Sequence, residues 1–207
     1  MGVPGPEATP APETTASAQL PLDKPFLRRD LTGFSGAGYD RGRNALWQVA
    51  WQLISGLVVV RWWCPPGVRA TILRFFGAEI GKNVVIRQRV RIHWPWKLRI
   101  GDGTWIGDGA WILNLEPVTI GSDVCISQEV LLCTGSHDRH SPTFEFDNGP
   151  IIVEDGAWIA ARATVLRGST VGHDSVIGAC TLVAGIIPPG TVMHAPRPSS
   201  RPPRTER

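Results

Sequence analysis

A six-residue spacing of aliphatic side chains dominates the second half of this 207-residue chain. Val153, Ile159, Val165, Val171, Ile177 and Val183 follow one another without a slip. Shorter phased runs precede them: Ile120, Ile126 and Leu132; Ile100, Ile106 and Ile112; Ile80, Ile86 and Ile92. Four residues after most of these stands a small or β-branched side chain, as at Thr104, Ala110, Val124, Val130, Ala157, Ala163, Ser169, Ser175 and Thr181. The residue just after the aliphatic one is often Gly or Ala, as at Gly101, Gly107, Gly121, Ala160, Gly172, Gly178 and Ala184.

An amphipathic helix needs apolar residues every three or four positions, and a half-buried strand needs strict alternation, so neither accounts for a sustained six. A short strand followed by a corner does. Each hexad then makes one side of a three-sided coil. The aliphatic and small residues point to its axis, and the corner residue must be small or tolerant of positive φ. Three hexads, about 18 residues, close one turn, and turns stack at ~4.8 Å so that each strand pairs with its equivalents above and below. The expected fold is an all-β parallel solenoid over 80–192.

The period slips twice. The step from Ile112 to Ile120 is eight, and that from Leu132 to Val153 is 21, three hexads plus three. The chain leaves the coil at these places, and solenoid excursions gather on one face and carry function. The longer one, 135–150, reads GSHDRHSPTFEFDNGP and holds two of the five histidines.

The remainder divides around this coil. Residues 1–33 begin with a Pro/Ala/Thr-rich stretch that has too little apolar surface to offset ordering, and are expected to form a flexible tail. They lack the basic start and apolar run of a secretory signal, so a cytoplasmic location is expected. Residues 34–79 form a helical extension. In it, 44–63 (NALWQVAWQLISGLVVVRWW) reads as a helix with Gln48, Gln52 and Ser55 on one stripe. Packing on the coil or on a neighbouring subunit is expected; a peripheral contact with the inner membrane face, anchored by Trp47, Trp51, Trp62 and Trp63, is the alternative. A second helix, RATILRFFGAEIG, is expected to cap the open first coil. Residues 193–207 are a basic, Pro-rich tail.

Charge is unevenly spread. Residues 21–100 hold 14 Lys/Arg against four Asp/Glu, whereas 101–196 hold three against 11. One end of the molecule is basic, which suits a membrane surface or a polyanionic ligand; no nucleic-acid module accompanies it and no nucleic-acid partner is expected. Cys64, Cys125, Cys133 and Cys180 have no CxxC spacing and read as reduced, small hydrophobes.

Within and beside the excursion stand LCTGSHD and PIIVEDGAWIAARATVLRGSTVGHDSVIGACTLV; upstream stand FGAEIGKNV, HWPWKLRIGDGTWIGDGAWILNL and VCISQEVLLCTGSHD. Over 34–192 these words resemble the hexapeptide-repeat O-acetyltransferases, the galactoside, maltose and Nod-factor enzymes and most of all the colanic-acid branch. The resemblance implies a left-handed parallel β-helix, a homotrimer with sites between neighbouring coils, acetyl-CoA as acyl donor, and a hydroxyl of a sugar or glycan precursor as acceptor. It makes His137 the general base, since an imidazole titrating near 6.5 can take the proton of a hydroxyl as the C–O bond forms. Asn114 would contact the acceptor or orient the base, and Asp138 would orient an imidazole. Trp158 would pack on the pantetheine arm, with Ala161, Ala179 and Ala184 letting its amides reach backbone partners. The C-terminal phrase TVMHAPRPSSRPPR departs from the family's usual ending, and Arg197 and Arg201 are the candidates for the phosphates of coenzyme A.

His140 is the rival base. Other readings are a γ-carbonic-anhydrase-like metalloenzyme, which needs three converging histidines, a non-catalytic scaffold, and a xenobiotic or natural-product acetyltransferase. No metal is expected.

Overall fold

The computed structural model describes residues 28–195. The start of the expected tail, and the Pro-rich end with Arg197 and Arg201, lie outside the described residues.

The chain winds into a left-handed parallel β-helix of about six turns with a short helical region before it. Three parallel sheets form its sides. The first stacks β1 (Glu79–Ile80), β4 (Leu98–Ile100), β7 (Val118–Ile120), β10 (Ile151–Val153), β13 (Thr170–Val171) and β16 (Ile186–Ile187). The second stacks β2 (Val85–Ile86), β5 (Trp105–Ile106), β8 (Cys125–Ile126), β11 (Trp158–Ile159), β14 (Val176–Ile177) and β17 (Val192–Met193). The third stacks β3 (Arg91–Ile92), β6 (Trp111–Leu113), β9 (Leu131–Cys133), β12 (Thr164–Leu166) and β15 (Leu182–Val183). Every third strand pairs in register, aliphatic over aliphatic: Ile106 on Ile126, Ile126 on Ile159, Ile159 on Ile177. These residues and the small ones at the following corners are buried and form a single core along the axis.

The corners separate two demands that the spacing had merged. The Gly after the aliphatic residue is needed for close approach: a Cβ on Gly101 would lie 2.6 Å from the carbonyl carbon of Gly121 in the next coil. Positive φ falls two residues later, often on non-glycine side chains, as at Asp123 (55°), Glu129 (57°), Arg162 (60°) and Cys180 (59°).

Coil length also varies. Glu79 pairs with Arg99 and Arg99 with Thr119, 20 residues per turn; Thr119 pairs with Ile152, 33 on; and Ile152 pairs with Thr170, the ideal 18. The extra residues sit at one corner, between the third sheet and the first. A slip there between Ile92 and Ile100, absent from the sequence reading, is filled by a 3-10 turn, Pro95–Lys97.

The extension differs in detail from the expected helices. Helix α1 (Ala45–Ile54) starts where the Asn44 side chain accepts the Trp47 N–H at 3.0 Å. It passes into a π-helical stretch, Ser55–Val59, and stops there, short of residue 63. The buried Arg69 side chain ends it, donating to the carbonyls of Val59 (2.8 Å), Arg61 (2.5 Å) and Ile86 (3.1 Å). Helix α2 (Pro66–Phe75) begins earlier than expected, with Pro66 in its first turn. It packs against β1 and β2 and so covers the first coil. Trp51 is fully buried, its indole N–H shared between the carbonyls of Ile92 and His93, so it joins the core and is no surface anchor.

Candidate active site

The long excursion leaves the coil after Cys133 and returns at Ile151. Its neck is held by Gly149 N–H to Thr134 O (3.0 Å), Asp147 N–H to Ser136 O (2.9 Å) and Ser136 N–H to Asn148 Oδ1 (3.0 Å). Thr134, fully buried, fixes the exit: its hydroxyl donates to Leu113 O at 3.0 Å and accepts from Glu116 N at 3.0 Å. At Gly135 the Leu115 side chain packs close: a Cβ there would lie 2.7 Å from Leu115 Cδ1, so a larger residue would have to displace that side chain.

His137 stands just beyond this neck, half-buried, its backbone bridged to Phe146. Its Nδ1 lies 2.7 Å from Phe144 O. A carbonyl can only accept, so in the neutral ring Nδ1 carries the hydrogen and Nε2 keeps the free lone pair. The imidazole stacks on Phe144 (4.2 Å between centroids, 8°) and on Phe146 (5.1 Å, 24°), and Phe34 meets its edge at 5.7 Å. The ring is therefore fixed in both position and tautomer.

Phe34 belongs to a segment far away in sequence. The end of the segment assigned to the tail is engaged with the excursion: the Arg29 guanidinium lies over the Phe144 ring at 5.1 Å, and Asp30 N–H donates to Pro142 O at 2.8 Å. Glu145 secures it, accepting from Ser35 N (3.0 Å), Ser35 Oγ (3.1 Å), Gly36 N (3.0 Å) and Thr143 Oγ1 (3.0 Å). These donors, the Ser35 backbone N–H first, hold the Glu145 carboxyl below its usual value. Tyr39 continues the aromatic cluster against Phe146, and its hydroxyl accepts from the indole of Trp94. Sequence reasoning missed Phe34, Phe144, Glu145 and Phe146. The Phe-Glu-Phe run, an apolar pair flanking a carboxylate inside an otherwise polar excursion, was the available signal.

The remaining expected residues are placed as follows. Asp138 Oδ1 accepts the backbone N–H of His140 at 2.8 Å, and among the described residues no hydrogen bond joins it to either imidazole. His140 is exposed, with Arg139 Nε donating to its Nε2 at 3.0 Å. Asn114 is fully buried and brackets the neighbouring coil: Oδ1 accepts from Trp94 N at 3.0 Å and Nδ2 donates to Trp94 O at 2.6 Å. Trp158, 48% exposed on β11, has its indole N–H pinned to Ser127 Oγ at 2.9 Å. Ala161 and Ala179 come together in a groove of about 380 Å³ that Gln128, Glu129, Arg162 and Cys180 complete. Ala184 follows β15 and is exposed at a different corner. A larger hollow, about 970 Å³, opens between Arg61–Trp62 and the third sheet; its walls include Arg91, Trp111 and Leu131 but no excursion residue. Among the described residues, no group of three or more His, Cys, Asp or Glu side chains could hold a metal ion.

No protein-family model matches the chain. A protein of Escherichia coli assigned as the colanic acid biosynthesis acetyltransferase WcaF is 41% identical over 167 residues, covering 79% of this chain and 91% of the relative. Among solved structures, galactoside acetyltransferase in complex with coenzyme A superposes with a TM-score of 0.68 at 23% identity, covering 75% of this chain and 80% of the other. The hexapeptide-repeat acetyltransferase of Vibrio cholerae complexed with acetyl coenzyme A gives 0.64 at 24% identity, over 72% and 81%. These two likenesses speak for the fold. The identity and coverage of the first relative assign the family as well: this chain belongs to the hexapeptide-repeat acetyltransferases, with the colanic acid biosynthesis acetyltransferases.

Proposed function

We propose that the protein moves the acetyl group of acetyl-CoA directly to a hydroxyl of a sugar or glycan precursor, with His137 as general base. The observation that carries this reading is the 2.7 Å contact of His137 Nδ1 with Phe144 O, which leaves Nε2 as the proton acceptor. A sugar hydroxyl is a poor nucleophile at neutral pH, and removal of its proton as the C–O bond forms is the assistance it needs. The attacked thioester carbonyl becomes an oxyanion that backbone N–H groups of the coil can stabilise. The oxyanion then collapses, the C–S bond breaks, the ester remains on the acceptor, and the imidazole gives its proton to the departing thiolate. No acyl-enzyme forms.

The pantetheine arm is assigned to the side of the coil where Trp158 offers a fixed indole and Ala161 and Ala179 line a shallow groove. Asn114 acts at a distance, setting the corner from which the next coil departs; Asp138 shapes the turn that follows the base. A homotrimer, in which a neighbouring coil walls the acceptor side of His137, completes the reading. The assignment of the Escherichia coli relative to colanic acid biosynthesis supports a glycan acceptor.

Thiol release from acetyl-CoA, measured with a panel of sugars and nucleotide sugars, tests the proposal. Release should require an acceptor, and His137→Ala should lower kcat by about a thousandfold with an unchanged circular dichroism spectrum. Full activity in His137→Ala, or a stable acetylated enzyme without acceptor, would overturn it.

A further inference from the structure

Helix α1 buries one side against the coil and leaves the other side apolar. Leu46, Val49, Leu53 and Leu57 recur at helical spacing along this outer stripe and are 83%, 57%, 57% and 61% exposed. No charged residue occurs from Ala45 to Val60, where a surface helix ordinarily carries its charges. Trp62 and Trp63 follow, 80% and 53% exposed, and Phe75 of α2 extends the apolar surface from its contact with Trp47, 5.7 Å between centroids. Water-facing apolar side chains packed this densely mark an interaction surface.

The charge beside the stripe selects the partner. From Arg41 to Ala78 the chain contains five arginines and no Asp or Glu. Arg69 is consumed inside the fold and Arg74 bonds the carbonyls of Ile80 and Gly81, whereas Arg41 and Arg43 before the stripe and Arg61 after it are exposed. A second copy presenting the same face would set arginine against arginine. A surface of anionic headgroups over an apolar interior matches the basic flanks, the aliphatic stripe and the tryptophans at its end. Length decides how the helix would lie. Ten residues of α-helix and five of π-helix reach roughly 20 Å, short of the ~30 Å hydrocarbon layer, and among the described residues no helix is long and apolar enough to cross a membrane.

We infer that this face docks in the plane of an anionic phospholipid surface, with Leu46, Val49, Leu53 and Leu57 in the acyl boundary and Arg41, Arg43 and Arg61 at the phosphates. The inference stands apart from the transfer chemistry, since none of these residues is assigned to His137 or to the pantetheine groove.

Co-sedimentation of the full chain with phosphatidylcholine vesicles, with and without about one third phosphatidylglycerol, tests it. The chain should sediment with the anionic vesicles, far less with neutral ones, and less as salt rises. Leu53→Asp combined with Leu57→Asp should lower partitioning about tenfold or more, and Trp62→Ala with Trp63→Ala severalfold. Turnover of a soluble acceptor should stay unchanged in both. The tryptophan pair is so exposed that it serves as the check if the aspartates disturb folding. Absence of the wild-type chain from anionic pellets at low salt, or equal sedimentation of wild type and both variants, would overturn the inference. So would a fall in light-scattering mass in either variant, because the stripe would then be a contact between copies.

Discussion

The coil and the excursion are held by opposite kinds of bonding. In the coil every strand repeats what its neighbours do, so Ile126 rests between Ile106 and Ile159 and a local loss is shared by equivalent layers above and below. In the excursion each contact occurs once: a single carbonyl orients His137, and a single carboxylate fastens Ser35 and Gly36. Repetition confers stability and solitary contacts set the chemistry, so the two regions should answer mutation differently.

Three substitutions sharpen that contrast beyond His137→Ala. Leu132→Ala removes a fully buried side chain from the axis and should cost about 3 kcal/mol, read as a lower denaturation midpoint, with kcat kept while the protein is folded. Gly101→Ala forces a Cβ into the backbone of the next coil. It should cost about 2 kcal/mol, again with kcat near wild type. A fall in kcat without destabilisation in either variant would break the contrast.

Glu145→Gln should leave the denaturation midpoint almost unmoved and lower kcat severalfold by loosening Phe34 against His137. Its pH behaviour is the finer test. The Glu145 carboxyl is held below its usual value of 4.5 in the folded chain. Its grip on Ser35 and Gly36 is therefore fully present above that value and is lost as pH falls through the lowered one. Amide exchange at Ser35 and Gly36 should accelerate over that acidic window in the wild type, and should be fast and pH-insensitive, apart from intrinsic exchange, in Glu145→Gln.

The same division explains what could be read without coordinates. The hexads announced three sheets because one physical demand, an aliphatic residue on the axis, recurs from Ile80 to Val183. The TGSH word marked His137 by resemblance. Neither could show that Phe144, seven residues on, carries the bond to Nδ1, because a contact made once inside an irregular loop leaves no period behind. Nor could they show that residues 34–39 return to the excursion, since those contacts join chain more than a hundred residues apart. Asn114 stood out by resemblance, but its partner, the backbone of Trp94, lies one coil back in a turn whose phase slip went unread.

The carbonyl of Phe144 leaves the imidazole one working nitrogen. Under the proposed chemistry, a hydrogen captured at Nε2 has no exit through the far side of the ring and must depart from where it arrived. Acceptor hydroxyl and departing sulfur therefore have to share the same edge of His137 in turn, so the ring works as a turnstile with one gate and both substrates have to be seated before it opens.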